Sequence, residues 1–173
     1  YQLYGGEVER DALEDDGLPL TSFQKHGAAR ALRLITETGG AIVADEVGLG
    51  KTFIAGEILN VYAKRRQRCL LICPAQLRDS TWKKFLSRFQ LGIECVSYEE
   101  LATEPRLQEP GEGPTPPHKL LHPLHEYQLI VVDEAHNYRN PDAPTRAQVL
   151  RRLLWGERRD VLMLTATPVN NSL

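Results

Sequence analysis

Two short stretches of this chain carry residue types that bind phosphate and metal ions. The first, residues 44–52 (ADEVGLGKT), follows an apolar run and precedes an amphipathic stretch, which together predict a strand, a loop and a helix. Gly48 and Gly50 allow successive backbone N–H groups to point at a phosphate, and the positive end of the helix strengthens that attraction. Lys51 would neutralise the β- and γ-phosphates of a nucleoside triphosphate, and the hydroxyl of Thr52 would bind Mg²⁺.

The second stretch supplies carboxylates at the end of a predicted buried strand. The apolar residues 129–132 run directly into Asp133 and Glu134. Asp133 would hold Mg²⁺ through water, and Glu134 would orient and deprotonate the water that attacks the γ-phosphate. The pattern leaves structural alternatives open. Asp45 occupies the first glycine position of GxxxxGK[ST], so residues 44–52 could form a simple glycine turn, and the two acids could begin a helix.

Composition limits the size of the fold and the class of protein. The chain has 173 residues, 42% of them hydrophobic, which suffices for one substantial core. A net charge of −2 means that any nucleic acid would be bound by local patches rather than by a broadly basic surface. Cys69, Cys73 and Cys95 lack paired spacing, so we expect reduced core cysteines and an intracellular protein, cytoplasmic in a prokaryote or nuclear in a eukaryote. No apolar run reaches the ~20 residues that span a bilayer, so no membrane association is expected.

Apolar and amphipathic stretches alternate along the chain after a flexible acidic lead-in at residues 1–18. A first helix is predicted from Thr21 to Gly39, and further helical stretches near residues 51–65, 81–89 and 144–155. Predicted strands cover residues 41–44, 70–73, 93–97, 129–132 and 161–165. This alternation predicts an α/β fold over residues 19–173, with a mainly parallel sheet and helices on both of its faces.

Residues 104–123 break the alternation, because they contain six prolines and two glycines, and we expect a long surface insertion there. The histidines in and just after this segment, His118, His122 and His125, could bind zinc, but the lack of cysteine and the position of Pro123 favour a solvated loop. A cluster of basic residues lies at the end of the helix predicted after the glycine loop. These residues are Lys64, Arg65, Arg66 and Arg68. Their charges complement the negative end of the helix dipole, and contact with phosphate is the alternative.

Taken together, the motifs resemble the Swi/Snf-type branch of the superfamily-two helicase-like ATPases, over residues 20–173. DEVGLGKT resembles motif I, which in this family has an aspartate in place of the first glycine and therefore accounts for Asp45. The other elements follow in the family's order. Phe23 and Gln24 resemble the glutamine element that contacts adenine, and LLICPAQL followed by Trp82 resembles motif Ia. Ser97 and Tyr98 resemble motif Ib, DEAHNYRN resembles motif II, and LTATPVNNSL resembles motif III.

The resemblance implies a RecA-like, P-loop first motor lobe that binds ATP and Mg²⁺ at the carboxyl ends of its strands, with the motif III strand between those of motifs I and II. It implies catalytic roles for Lys51, Asp133 and Glu134, and Mg²⁺ ligation, partly through water, by Thr52 and Asp133. The implied nucleotide-binding residues are Gln24, Asp45, Glu46, Val47, Gly48, Leu49, Gly50, Lys51 and Thr52.

The resemblance also implies how nucleotide and nucleic acid would communicate. The γ-phosphate state would be sensed and passed on by Thr165, Thr167, His136 and Asn171. Contacts to the sugar-phosphate backbone, independent of base identity, would come from Pro74, Gln76, Ser97, Tyr98, Arg139 and Asn140.

Three functions are consistent with these residues. The first is the ATP-binding lobe of a nucleic-acid-stimulated ATP hydrolase, a translocase that moves on duplex DNA. The second is a nucleotide-dependent binding module or switch, and the third is the first lobe of a strand-separating helicase or restriction-type motor. The sequence stops after motif III, before the family's second RecA-like lobe and its arginines. Because an arginine finger contributes about 10³-fold or more to phosphoryl transfer, the isolated lobe is expected to be nearly inactive.

Overall fold

A single parallel sheet organises the part of the chain that the computed structural model describes, residues 17–45, 49–139 and 144–166. Its strands are β1 (Gly40–Asp45), β2 (Arg68–Cys73), β3 (Glu94–Ser97), β4 (Tyr127–Val132) and β5 (Asp160–Ala166). Their order is β1-β5-β4-β2-β3, and every neighbouring pair is parallel. The predicted α/β fold is therefore confirmed, and β5, which carries motif III, lies between the strands of motifs I and II as expected.

Helices connect the strands. They are α1 (Ser22–Thr38), α2 (Leu49–Lys64), α3 (Ala75–Leu77), α4 (Lys83–Arg88), α5 (Tyr98–Ala102) and α6 (Pro144–Leu154). Thr21 begins α1 with a capping box, and Gly39 ends it in the left-handed conformation at φ 84°. The helix predicted near residues 81–89 corresponds to α4, Lys83–Arg88, but the helical residues before it were not predicted. Helical structure already begins at Ala75, and a π-helical turn, Arg78–Trp82, joins α3 to α4.

Alternate strand residues face two hydrophobic cores, one on each side of the sheet. Helices α1, α2 and α4 cover the first core, against strand residues that include Ala41, Leu71, Leu129, Val131, Leu162 and Leu164. Helices α5 and α6 cover the second core, against Leu70, Ile72, Val96, Ile130 and Val132. Because β2 and β4 are buried on both faces, their sequences are continuously apolar rather than alternating.

The proline-rich segment is continuously exposed from residue 109 to 119, and Leu121 and Pro123 beyond that run are exposed as well. Its flanks are anchored by buried Leu107 and Leu120 and by the fully buried Glu104. The carboxylate of Glu104 accepts the backbone N–H groups of Lys119 at 2.7 Å and Leu120 at 2.9 Å. The two flanks therefore belong to the packed domain, and the exposed part is shorter than the insertion expected from composition.

The three cysteines carry free thiols, and Cys69 and Cys73 are buried among core residues. Within the described ranges, no helix is both long enough and apolar enough to cross a membrane.

Candidate active site

Lys51 and Thr52 lie in the first turn of α2, at the carboxyl end of β1. That strand ends at Asp45 and the helix begins at Leu49, so strand and helix follow in the predicted order. Only 5% of Lys51 is exposed, and Thr52 is half-buried. A buried ammonium group requires a negatively charged partner, and its charge acts on Asp133.

Some predicted site residues lie outside the described part of the chain. These are Glu46, Val47 and Gly48 in the glycine loop, and Asn140, Thr167 and Asn171 further on. Nothing is described of the side chains of Asp45, Leu49 and Arg139.

Asp133 follows β4 directly and is only 8% exposed. Its backbone N–H donates to the carbonyl oxygen of Ile72 at 2.8 Å, which ties it to the end of β2. Burial raises the pKa of Asp133 above its ordinary value. Hydrogen bonds from Trp82 and from the backbone N–H of Glu134 oppose that rise, as does the positive charge of Lys51. The site therefore holds a buried carboxylate and a buried ammonium whose charge lowers the pKa of that carboxylate.

His136 brings motif II and motif III together. Its Nε2 lies 3.2 Å from Oε2 of Glu134, and its Nδ1 lies 3.3 Å from the hydroxyl of Thr165 at the end of β5. Glu134 is half-buried and has a φ of 52°, a left-handed conformation that is uncommon for a residue other than glycine. Three residues predicted from two separate motifs thus meet at the carboxyl ends of β4 and β5.

Gln24 occupies a position near the start of α1, where its side chain has a structural partner. Its Oε1 accepts the backbone N–H of Thr21 at 2.9 Å, completing the capping box. The amide NH₂ of Gln24 is a separate donor group, so adenine binding by this residue stays a prediction.

The residues predicted to contact nucleic acid differ in accessibility. Gln76 is exposed and Pro74 is half-buried, both just after β2. Ser97 and Tyr98 are each only 2% exposed. Ser97 caps α5 by accepting the N–H of Glu100, and the hydroxyl of Tyr98 donates to the backbone carbonyl oxygens after β4. A surface contact by these two side chains therefore does not fit the structure, because burial gives their polar atoms internal partners.

A separate groove of about 850 Å³ lies at the opposite, amino ends of β2, β3 and β4. Arg66, Arg68, His122 and His125 are among its lining residues. Arg68 is paired with Glu126 at 3.3 Å and lies 2.6 Å from His122. Within the described residues, no three His, Cys, Asp or Glu side chains are grouped to hold a metal ion.

Sequence reasoning missed one contact of the site. Trp82 is fully buried, and its indole N–H donates to Oδ2 of Asp133 at 2.8 Å. The available signal was a single large aromatic residue with one polar group, located in the segment resembling motif Ia. Spacing alone could not reveal its partner, because 51 residues separate the two.

The strand order and the side chains at the carboxyl ends of β1, β4 and β5 define a RecA-like α/β domain. The DEAD/DEAH box helicase family model matches residues 25–173, so the chain belongs to that family. It is a helicase-like ATPase domain of the Snf2 type, which confirms the resemblance drawn from the motifs.

Several proteins are similar to this chain in sequence. Over 90% of its length, it is 32% identical to the uncharacterized ATP-dependent helicase YqhH of Bacillus subtilis. Over 91% of its length, it is 32% identical to chromodomain-helicase-DNA-binding protein 1-like of Mus musculus. A third relative is RNA polymerase-associated protein RapA of Actinobacillus succinogenes, 32% identical over 73% of the chain. The chain spans only 28%, 19% and 15% of these relatives, respectively.

Solved structures share the fold. The SWI2/SNF2 ATPase core of Sulfolobus solfataricus, solved in complex with dsDNA, has a TM-score of 0.66 and 22% identity; the match covers 92% of this chain and 35% of that one. The DUF1998 helicase MrfA has a TM-score of 0.56 and 16% identity; the match covers 92% of this chain and 29% of that one.

Proposed function

We propose that this chain is the ATP-binding first lobe of a nucleic-acid-stimulated ATPase that translocates on duplex DNA. The observation that carries the proposal is the cluster at the carboxyl ends of the strands, where buried Lys51 acts on buried Asp133 and where Glu134 and Thr165 flank His136. Ligands of parallel α/β sheets bind at this end. An ammonium, two carboxylates and a hydroxyl suit phosphate, a divalent cation and an attacking water.

The residues present fit Mg²⁺. The carboxylate of Asp133 and the hydroxyl of Thr52 are hard oxygen donors, the type that Mg²⁺ prefers, and water would complete the coordination. A buried carboxylate whose pKa is raised by burial gains from an added positive charge. When bound, Mg²⁺ would neutralise charge that develops on the phosphate oxygens.

The chain's own residues would divide the remaining work. Lys51 would neutralise phosphate charge from the first turn of α2. Glu134 would orient the attacking water and accept its proton, because its carboxylate is half-buried and lies next to His136. Residues 45–50 and Gln24 would bind the rest of the nucleotide.

The nucleic acid would lie along the loops after β2 and β4, where Pro74, Gln76, Arg139 and Asn140 remain the proposed contacts. Two comparisons support DNA as the partner, since one relative is named a DNA-binding helicase and one neighbour was solved with dsDNA. A second RecA-like lobe would close the site and supply the arginines that this lobe lacks. The free thiols fit the proposed intracellular location, cytoplasmic or nuclear.

The test is ATP turnover by the full-length protein with duplex DNA, single-stranded DNA, RNA or no nucleic acid, with Glu134→Gln as the blank. We expect stimulation chiefly by duplex DNA. Stimulation by single strands or RNA would instead indicate a strand-separating relative. Nucleotide binding without stimulated turnover by any of the three would contradict the proposal and indicate a nucleotide-dependent switch.

A further inference from the structure

The indole of Trp82 reaches the metal-binding acid of the proposed site from inside the protein. Trp82 is fully buried, and its Nε1–H donates to Oδ2 of Asp133 at 2.8 Å. An indole N–H is a donor only, so without this carboxylate it would be a buried polar group without a partner. The contact therefore constrains both side chains.

A local irregularity of the helix accompanies this contact. Trp82 ends the π-helical turn Arg78–Trp82, which separates α3 from α4. A π turn inserts one residue and rotates the side chains that follow, and such turns occur frequently at functional sites. Trp82, the last residue of the π turn, contacts Asp133, and Phe85, in α4, packs in the first core. The polar contact therefore lies at the end of the π turn, and the hydrophobic contact lies in the helix that follows it.

Both oxygens of the Asp133 carboxylate are held by the protein. Oδ2 accepts the indole N–H of Trp82, and Oδ1 accepts the backbone N–H of Glu134 at 2.8 Å. A carboxylate offers about four lone-pair positions, so two remain for other partners. One hydrogen bond to each oxygen fixes the rotation of the Asp133 carboxylate, and this sets the direction of the two remaining lone-pair positions.

The hydroxyl of Tyr98 contacts the backbone of the same turn. Tyr98 is 2% exposed, and its hydroxyl donates to the backbone carbonyl oxygens of Asp133 and, at 3.0 Å, of Glu134. Glu134 has a φ of 52°, which costs free energy for a residue with a side chain unless the surroundings favour it. The Tyr98 hydroxyl supplies a donor that favours this conformation, which in turn sets the direction of the Glu134 side chain.

We propose that Trp82 and Tyr98 are positioning residues for the two acids of the DEAH turn, Trp82 by orienting the carboxylate of Asp133 and Tyr98 by holding the backbone that aims Glu134. Neither residue touches the nucleotide in this role. The inference rests on the proposed function, because that function assigns Mg²⁺ binding to Asp133 and water activation to Glu134. It extends that function by assigning the buried aromatic residues after β2 and β3 to Mg²⁺ binding and to turnover, respectively.

The first test separates metal binding from turnover in the full-length protein. Trp82→Phe keeps an aromatic ring and removes the N–H, and we expect it to raise the Mg²⁺ concentration that half-saturates ATP binding by about tenfold or more. Tyr98→Phe should leave that concentration within about twofold and lower kcat by about tenfold. Binding is measured by titrating Mg²⁺ at fixed nucleotide concentration, so it needs no hydrolysis.

Two matched controls remove a similar group elsewhere. Tyr62→Phe deletes a buried hydroxyl that donates to Asp160 at 2.5 Å, at the start of β5 and therefore at the opposite end of the sheet. Trp155→Phe changes the other of the two tryptophans, which is 84% exposed. Both controls should bind Mg²⁺ and ATP as the unaltered protein does.

Magnetic resonance of the indole N–H groups tests Trp82 in a protein that retains it, so this test does not depend on the folding of Trp82→Phe. The two indole N–H resonances are distinguished by their presence or absence in Trp155→Phe. We expect Mg²⁺ with ATP to shift the Trp82 resonance and to leave that of Trp155 in place.

The outcomes distinguish the inference from the function on which it rests. Failure of the unaltered protein to bind ATP with Mg²⁺ would contradict the proposed function. Normal binding and turnover by the unaltered protein, with Trp82→Phe and Tyr98→Phe no different from the two controls, would overturn the positioning roles alone. An unshifted Trp82 resonance in a protein that binds Mg²⁺ and ATP would also overturn the role of Trp82.

Discussion

The imidazole Nδ1 of His136 lies 3.3 Å from the hydroxyl of Thr165, which joins the DEAH turn after β4 to the last strand, β5. The other ring nitrogen of His136 lies 3.2 Å from the carboxylate of Glu134. A single side chain therefore contacts the proposed water-activating acid and a residue of motif III. This geometry is suited to transmit the state of the nucleotide between the two motifs.

His136→Ala should weaken the stimulation of ATP turnover by nucleic acid more than it weakens the basal rate, because the variant removes the side chain that contacts both Glu134 and Thr165 and leaves those two residues in place. We expect at least a tenfold loss of stimulation. The measurement compares turnover with and without duplex DNA. His125→Ala, at an exposed position near the opposite, amino ends of the strands, is the control. Equal losses of basal and stimulated rates in His136→Ala would contradict the coupling role.

Lys51→Ala and Glu134→Gln should separate binding from chemistry. Removing the buried ammonium of Lys51 deletes the charge that neutralises phosphate and leaves Asp133 without an opposing charge, so nucleotide binding should be lost. Glu134→Gln keeps the shape and removes the base, so binding should persist while turnover falls by at least 10²-fold. Equilibrium binding of a fluorescent ATP analogue and single-turnover hydrolysis give the two quantities. Equal loss of binding in both variants would refute these assignments.

Gly56→Ala should destabilise the protein, although alanine is the better helix former by up to about 1 kcal/mol. A Cβ at this position would lie 2.4 Å from the ring of Phe85, and that ring is packed edge-on against Phe53 and Trp82. We expect the free energy of unfolding to fall by about 1–3 kcal/mol. Chemical denaturation measures it.

Gly92→Ala is the matched control for that prediction. A Cβ there meets no atom within 4 Å, and the residue is exposed. The change should therefore stay within about 0.5 kcal/mol. A Gly56→Ala variant as stable as Gly92→Ala would show that the Phe85 ring moves aside without cost.

Glu104→Gln should make the free energy of unfolding less dependent on pH between pH 4.5 and 2. Burial acts to raise the pKa of Glu104, but hydrogen bonds from Arg106 and from the backbone N–H groups of Leu120 and Lys119 outweigh it and lower the pKa to about 2. Because the folded-state pKa lies below the ordinary value of 4.5, the ionised carboxylate stabilises the fold above that pH, and the contribution is lost as pH falls toward 2.

The amide of Glu104→Gln cannot carry that charge, so we expect a loss of about 2–3 kcal/mol at pH 7 and a flatter decline of stability between pH 4.5 and 2. The measurement is the free energy of unfolding across this range. Glu112→Gln, in the exposed part of the same segment, should reproduce the unaltered curve. If the free energy of unfolding of Glu104→Gln fell with acid as steeply as that of the unaltered protein, the role of Glu104 in anchoring the proline-rich segment would be contradicted.

Local patterns were sufficient to predict most of the fold. Each strand begins and ends within two residues of its predicted bounds, because strands buried on both faces produce uninterrupted apolar runs such as residues 129–132. The parallel order followed from the alternation with helices, and the neighbours of β5 followed from the family resemblance. The sequence could not show the π turn before α4, because no residue type in Arg78–Trp82 specifies a π-helical hydrogen-bond pattern.

The sequence by itself also determined which residue types reach the carboxyl ends of the strands: the ammonium of Lys51, the acids Asp133 and Glu134, and the hydroxyl of Thr165. Only the tertiary structure decided their partners, because burial and contact depend on elements far apart in the chain. It placed Tyr98 in the interior, where its hydroxyl contacts the DEAH turn instead of the surface. It also joined Trp82 to Asp133 across 51 residues, a pairing that arises from packing and that no local pattern encodes.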